Sequence, residues 1–181
     1  MAWQKEHKQQ SRQNIVEAAA SLFTELGFDH VSIDDVMLAA GLTRGAFYAH
    51  FNSKSELYAE AISHAARCAR DRVMHGLQEG PSVADIATRY LMLSHAEGKT
   101  TRCPLAFLTS DIHQRDEQVR DAYTQVLKGF IAAVRATSAK GDPDKEIRNA
   151  VLMIGGLALA RAINEPELQE RVLQACRDGV F

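Results

Sequence analysis

The residues best suited to chemistry in this chain lie between positions 43 and 54. The run Thr43-Arg44-Gly45-Ala46-Phe47-Tyr48-Ala49-His50 sets a hydroxyl, a guanidinium, a phenol and an imidazole close together, and Lys54 follows. Wound as a helix at about 100° per residue, Phe47 and Phe51 share one face, while Arg44, Gly45, Tyr48 and Ala49 point largely away from it. Such an outward face suits the major groove of duplex DNA. An arginine can bind guanine O6 and N7 bidentately. Gly45 lets the backbone approach closely, and Thr43 at the helix start can bond a phosphate where the amide dipoles also favour negative charge. Tyr48 and His50 can reach phosphates, Tyr48 can instead lie on a thymine methyl, and Lys54 is placed for one more phosphate. The alternative is a structural helical hairpin whose charges are merely solvated.

A second chemical feature is Cys103, in Thr-Thr-Arg-Cys-Pro-Leu, where a thiol at a helix start beside Arg102 favours the thiolate. It is a candidate redox-sensing residue; the alternative is a buried cysteine packing as a small hydrophobe. His64, Cys68, Asp71 and His75 recur at helical spacing, but one linear row cannot close a tetrahedral metal site, so a solvated face is expected and no metal. There is no phosphate-binding glycine loop, no His-Glu-x-x-His and no Gly-x-Ser-x-Gly. Neither an enzyme nor a cofactor is implied.

The elements that must position these residues read as helices throughout. Ile15, Ala19, Leu22, Phe23 and Leu26 mark one face of a first helix that stops at Gly27. Ser32-Ile-Asp-Asp35 caps a second, which turns at Gly41 into a third running from Thr43 to about 51. Ser53-Lys-Ser-Glu56 has the form of a full capping box and opens a fourth, over 53–78. A fifth starts at Ser82, a sixth spans 103–113 with Pro104 just inside it, and a seventh covers 116–138. Asp142-Pro143 opens an eighth and Pro166 a ninth. About nine helices with no period-2 run predict an all-α protein. An amino-terminal helix-turn-helix domain is expected over 1–52, with the fourth helix connecting it to a helical remainder within 53–181.

Bulk charge does not by itself argue for nucleic acid. The 181 residues carry a net charge of −2, and residues 1–55 hold five Lys/Arg against six Asp/Glu. Any DNA-binding reading must therefore rest on placement. No apolar run reaches the roughly 18 residues of a membrane span. The polar start predicts no secretory signal, and the three cysteines form no disulfide framework. A cytoplasmic protein is expected.

From about Arg12 to Leu57 the chain resembles the DNA-binding domain of the tetracycline-repressor (TetR) family. The resemblance is carried by Ile15-Val16-Glu17-Ala18-Ala19, Leu22-Phe23, Gly27-Phe28, Val31-Ser32-Ile33-Asp34-Asp35-Val36, Ala39-Ala40-Gly41-Leu42 and the block Arg44 to Leu57. It implies a homodimer that binds a palindromic operator in double-stranded DNA, usually as a repressor released by a small molecule. It further implies backbone contacts from Ser32, Thr43, Tyr48, His50 and Lys54, and places Arg44, Gly45 and Ala46 against the bases. Ser32-Ile33 departs from the commoner Thr-Val or Thr-Thr, which weakens one hydroxyl contact. The amino-terminal tail, with Lys5, His7, Lys8 and Arg12, is expected to add disordered phosphate contacts. Cys103-Pro104 at a helix start looks like a subset of these regulators, some of which sense electrophiles or oxidants.

Beyond that stretch the resemblance is one of layout only. In the eighth helix Ile147, Val151, Ile154 and Ala158 recur at helical spacing around the small-residue run Gly155-Gly156. With the ninth helix (Leu168, Val172, Ala175, Cys176) they predict a four-helix dimer interface; packing within one chain is the alternative. An effector pocket is expected among helices four to eight, with Tyr90, Met92, Phe107, Tyr123 and Phe130 as candidate lining. A rival from another class is a helical adaptor whose amino-terminal domain docks a protein; it would bind no DNA even at low salt. Within the first class, activation in place of repression depends on where the operator lies.

Overall fold

The computed structural model describes residues 2–92, 102–137 and 142–180, with side chains from Glu6 onward. The side chain of Lys5 lies outside that set. Ten helices and no strand occur among the described residues: α1 (Ala2–Leu26), α2 (Ile33–Ala39), α3 (Arg44–Phe47), α4 (Lys54–Met74), α5 (Val83–Leu91), α6 (Pro104–Phe107), α7 (Thr109–Ile112), α8 (Glu117–Arg135), α9 (Pro143–Ala162) and α10 (Pro166–Asp178). None of them is long and apolar enough to cross a membrane. The all-α architecture is the one expected.

Local chemistry explains most of the boundaries. The Ser32 hydroxyl accepts from the Asp35 amide at 3.1 Å while the Asp35 carboxylate accepts from the Ser32 amide at 2.8 Å, a complete capping box; Ser82 and Asp85 repeat it at α5. Each cap contributes about 1 kcal/mol. Gly27 and Gly41 take positive φ (79° and 68°) where α1 and α2 end, a conformation open to glycine at little cost. Pro104, Pro143 and Pro166 occupy first-turn positions, where no amide donor is needed.

Three expectations change. The amino-terminal tail is not disordered: α1 is helical from Ala2. At α4 the capping box is shifted by one residue. Ser53 Oγ accepts from the Glu56 amide at 3.0 Å, but the Glu56 carboxylate reaches the amide and side chain of Asn52 instead of Ser53. The single helix expected over 103–113 is two short ones, broken at Leu108 (φ −113°, ψ 3°). There the Leu105 carbonyl accepts from the hydroxyls of Thr109 and Tyr123, at 2.5 and 2.9 Å, which ties that carbonyl to side chains at the break.

The chain divides into two compact units, Met1–Cys68 with Lys99–Thr124 and Ala69–Gly98 with Gln125–Phe181. In the first, Ile15, Ala19 and Phe23 of α1, Val36 and Met37 of α2, Phe47, Phe51, and Leu57, Tyr58 and Ile62 of α4 form the buried core. Short helices α6 and α7 belong to this unit, so the compact division does not follow the boundary at 52 and 53. In the second unit, α5, α9 and α10 bury Tyr90, Leu91, Met153, Leu157 and Leu173. Gly156 lets α9 close on α10 within the chain: a Cβ there would meet Cys176 Sγ at 2.5 Å and Leu91 Cδ2 at 3.3 Å. A Cβ at Gly155 would meet nothing within 4 Å. The two glycines of this pair thus have different surroundings, and intramolecular packing accounts for Gly156.

Candidate nucleic-acid interface

The turn between α2 and α3 is set by backbone bonds from the Gly41 amide to Leu38 O (3.1 Å) and from the Leu42 amide to Met37 O (2.9 Å). The regular part of α3 is one turn long. It continues as a tightened turn in which the amides of His50 and Phe51 both reach Phe47 O at 2.9 Å. Phe47 and Phe51 are fully buried, with ring centroids 5.8 Å apart, and anchor this segment on the core. Tyr48 meets the Phe47 ring edge-on at 5.2 Å and is 61% exposed.

That anchoring turns Thr43, Arg44, Gly45 and Tyr48 to the surface. Thr43 holds the N-cap position of α3, but its hydroxyl makes no cap bond. A Cβ added at Gly45 would meet nothing within 4 Å, so the helix face is open there. Arg44 Nη1 donates to Asp34 Oδ2 at 2.7 Å. Its guanidinium is held above its ordinary range chiefly by the Tyr48 hydroxyl and then by the charge of Asp34. Ala46 is half-buried.

The remaining candidates are less free. The Ser32 hydroxyl accepts from the Asp35 amide and donates to Asp35 Oδ2 at 2.6 Å, so its proton is already committed. Lys54 turns inward: its ammonium donates to the Phe28 carbonyl and lies 4.0 Å from the centre of the Phe28 ring. Burial lowers its pKa, opposed most by Asp29. His50 is half-buried, and its Nδ1 has no hydrogen-bond partner. Burial lowers its pKa below the usual imidazole value, and the charges of Lys8 and Arg12 act in the same direction. Arg12 pairs with Glu60 and lies 4.8 Å from the centre of the Phe51 ring.

The same unit holds a polar network of which the sequence carries no sign. Tyr58, buried in α4, donates to Asp111 Oδ2 at 2.6 Å. Arg115 binds the other Asp111 oxygen at 2.9 Å and both oxygens of Asp29, at 3.0 and 2.6 Å. Its guanidinium lies 4.6 Å from the centre of the Phe28 ring, so Phe28 carries a second cation beside Lys54. The partners are 53 and 86 residues apart in sequence, a separation that helical periodicity does not report. A cavity of about 330 Å³ adjoins the network, lined among others by Glu25, Asp29, Phe107, Gln114 and Arg115.

The five candidates for an effector pocket divide between the units. Phe107 lines the cavity just described. Tyr123 donates to the Leu105 carbonyl. In the other unit, Tyr90 is fully buried with its ring 5.1 Å from that of Phe130, and Met92 is mostly exposed. Cys103 holds the N-cap position of α6 and is 4% exposed. The thiol is thus buried at the start of a four-residue helix, the setting of a cysteine that packs as a small hydrophobe. Of the histidine and cysteine row on α4, Cys68 Sγ lies 3.3 Å from His64 Nε2, and Asp71 pairs with Arg70. Among the described residues no group of three or more His, Cys, Asp or Glu is placed to hold a metal ion.

Comparison with known proteins places this geometry. The profile of the family described as bacterial regulatory proteins, tetR family, matches residues 15–61. The HTH-type transcriptional regulator TtgR of Pseudomonas putida is 31% identical over 171 aligned residues, covering 82% of this chain and 77% of that protein. The HTH-type transcriptional regulator AcrR of Shigella flexneri is 43% identical over 56 residues, 31% of this chain, and the match spans only 26% of AcrR. Among solved structures, the reduced form of NemR from E. coli aligns with a TM-score of 0.76 at 19% identity, over 93% of this chain and 95% of that one. A tetR-family regulator from Cytophaga hutchinsonii aligns with a TM-score of 0.81 at 16% identity, over 96% and 94%. At these identities the solved structures speak to the fold.

Proposed function

We propose that this chain, which belongs to the tetR family of bacterial regulatory proteins and is a transcriptional regulator, represses transcription as a homodimer seated on a palindromic operator. What carries the reading is the outward face of α3, where Thr43, Arg44, Gly45 and Tyr48 stand exposed on two buried phenylalanine anchors. In the complex this face enters the major groove. Arg44 leaves Asp34 for a guanine, Gly45 and Ala46 admit the base edges, and Thr43, Tyr48, Ser32 and His50 meet the flanking phosphates. Lys54 joins them only by giving up the Phe28 carbonyl.

The dimer forms through α9 and α10. Ile147, Val151 and Leu159 recur along α9 with Gly155 between them, and all three apolar side chains stay exposed (46%, 63% and 61%). Leu168 of α10 is exposed as well. A stripe of that length on one helix is supported by pairing with its own copy. Two-fold symmetry then sets half-sites about one turn of DNA apart. Release comes from an effector, a small molecule or a thiol-reactive compound, that favours a spacing of the two heads unsuited to the operator. Operator DNA in a bacterium makes the cytoplasm the site of action.

Selection from random-centre duplexes at fixed, stated salt tests the reading. A retained palindrome with half-sites about one turn apart is the expected result. A folded dimer that retains no sequence, and binds no duplex at low salt, would overturn it in favour of a protein-docking role for the amino-terminal helices.

A further inference from the structure

Two cations share one aromatic ring just past the end of α1. The Lys54 ammonium lies 4.0 Å from the centre of the Phe28 ring and the Arg115 guanidinium 4.6 Å from it. The ring attracts both, but like charges gathered there repel each other. Each is therefore held by a further partner. Lys54 donates to the Phe28 carbonyl. Arg115 takes both oxygens of Asp29, at 3.0 and 2.6 Å, and Asp111 Oδ1 at 2.9 Å.

Asp29 follows Phe28 directly in the chain, and its side chain is 64% exposed while that of Arg115 is 12% exposed. The bonds from Arg115 hold the Asp29 carboxyl below the ordinary carboxylate range, so it is ionised at neutral pH. Burial disfavours the charged form of Lys54; Asp29 is the charge that offsets this most, and Arg115 acts against it. The inward seat of Lys54 thus depends on a balance between two residues that form an ion pair with each other.

We propose that Asp29 and Arg115 are positioning residues for DNA binding, which together set whether Lys54 rests on Phe28 or swings out to a phosphate. The inference rests on the DNA-binding reading given above. It adds to that reading two residues outside α2 and α3 that act through Lys54. Without the Asp29 charge, Arg115 repels Lys54 with no nearby carboxylate of that loop to offset it, and the outward position gains. Without the Arg115 charge, Asp29 is unopposed and Lys54 stays inward. Both changes break the same ion pair, but only the first frees Lys54.

The test has two arms on the full chain. Without DNA, the ε-methylene protons of Lys54 are followed by NMR; held over the Phe28 ring they are shifted upfield by its ring current, and in Asp29→Asn they should move toward the position of a free lysine. With a random-sequence duplex, affinity is measured by fluorescence anisotropy over a salt series. Asp29→Asn should steepen the slope of log K against log salt by about 0.9 per subunit, the value of one more phosphate contact. The steepening should be absent when Lys54→Gln is also present, and Arg115→Gln should leave the slope no steeper than in wild type. Unmoved Lys54 resonances in Asp29→Asn, equal steepening in the Lys54→Gln background, or equal steepening by Arg115→Gln would overturn the proposal. A wild-type protein that binds duplex while Asp29→Asn fails to steepen the slope sinks this inference alone; a wild type that binds no duplex at low salt sinks the DNA-binding reading and this one with it.

Discussion

Arg44 and Asp34 form an ion pair of 2.7 Å across the face of the helix-turn-helix, with both side chains more than half exposed. The carboxylate holds the guanidinium that the proposed operator contact would claim, and would itself set a negative charge where phosphates approach. Removing the charge with Asp34→Asn should tighten binding to any duplex modestly at low salt, since an exposed pair contributes little. The gain should be larger on the operator than on random DNA, since only there must Arg44 leave Asp34 for a guanine. Fluorescence anisotropy on both duplexes at one salt concentration measures the two effects. Unchanged affinity and unchanged discrimination would rule out the competition.

Arg44→Ala should lose about 1–3 kcal/mol per half-site on the operator and little on random sequence. Tyr48→Phe, which removes a phosphate partner, should weaken binding on all sequences alike. An equal loss for Arg44→Ala on both duplexes would show that Arg44 meets only phosphate.

The pH dependence of DNA binding should come from His50. In the free protein its pKa is lowered by burial, then by Lys8 and Arg12. A phosphate beside it favours the imidazolium, so the complex binds more protons than its free components. Affinity should therefore rise as pH falls from 8 toward 6, with a slope of no more than about one proton per subunit. His50→Gln should flatten the profile. For folding the sign is opposite. His50 and His64 both have lowered folded pKa values, so their contribution is intact above the unfolded value of about 6.5 and fades as pH falls through the folded ones. Thermal melts between pH 7.5 and 5 should show this loss, and less of it in the double His→Gln variant.

Tyr58→Phe should destabilise the first unit. Its hydroxyl donates to Asp111, and burial with that bond raises its pKa well above the usual phenol value. Loss of a hydrogen bond to a charged acceptor costs about 1.5–3 kcal/mol. Urea unfolding of the variant gives the number directly; a change below half a kcal/mol would show that solvent replaces the bond.

Substitutions five residues apart on α9 should separate association from folding. Val151→Glu puts a charge on the exposed stripe and should shift sedimentation from dimer to monomer with the helical spectrum intact. Gly156→Val forces side-chain atoms into Cys176 and Leu91 and should cost about 1–3 kcal/mol of stability. A Val151→Glu protein that remains dimeric would move the interface elsewhere.

What was legible in the sequence is what is local. Ser32 and Asp35, Gly41, and the Phe47–Phe51 spacing act over a few residues, and each does in the structure what its spacing implies. Side-chain partners distant in the chain were not legible. Nothing in the sequence links Lys54 to the Phe28 carbonyl, Arg44 to Asp34 or Arg115 to Asp29, yet these pairings decide which cations face outward. No glycine or proline stands at Leu108, yet the helix breaks there, with the Leu105 carbonyl bonded to the hydroxyls of Thr109 and Tyr123. The Gly155-Gly156 pair read as one small-residue patch, whereas only Gly156 is closed against its neighbours.

The inward turn of Lys54 has a bearing on how such a regulator searches a chromosome. Lys54 is held over Phe28, and Arg12, Arg44 and Arg115 are each paired to a carboxylate of the same chain, so each of these four must give up a partner before it can displace a counterion from arbitrary sequence. On the proposed DNA-binding reading, this shortens residence on non-cognate DNA and makes its salt slope shallower.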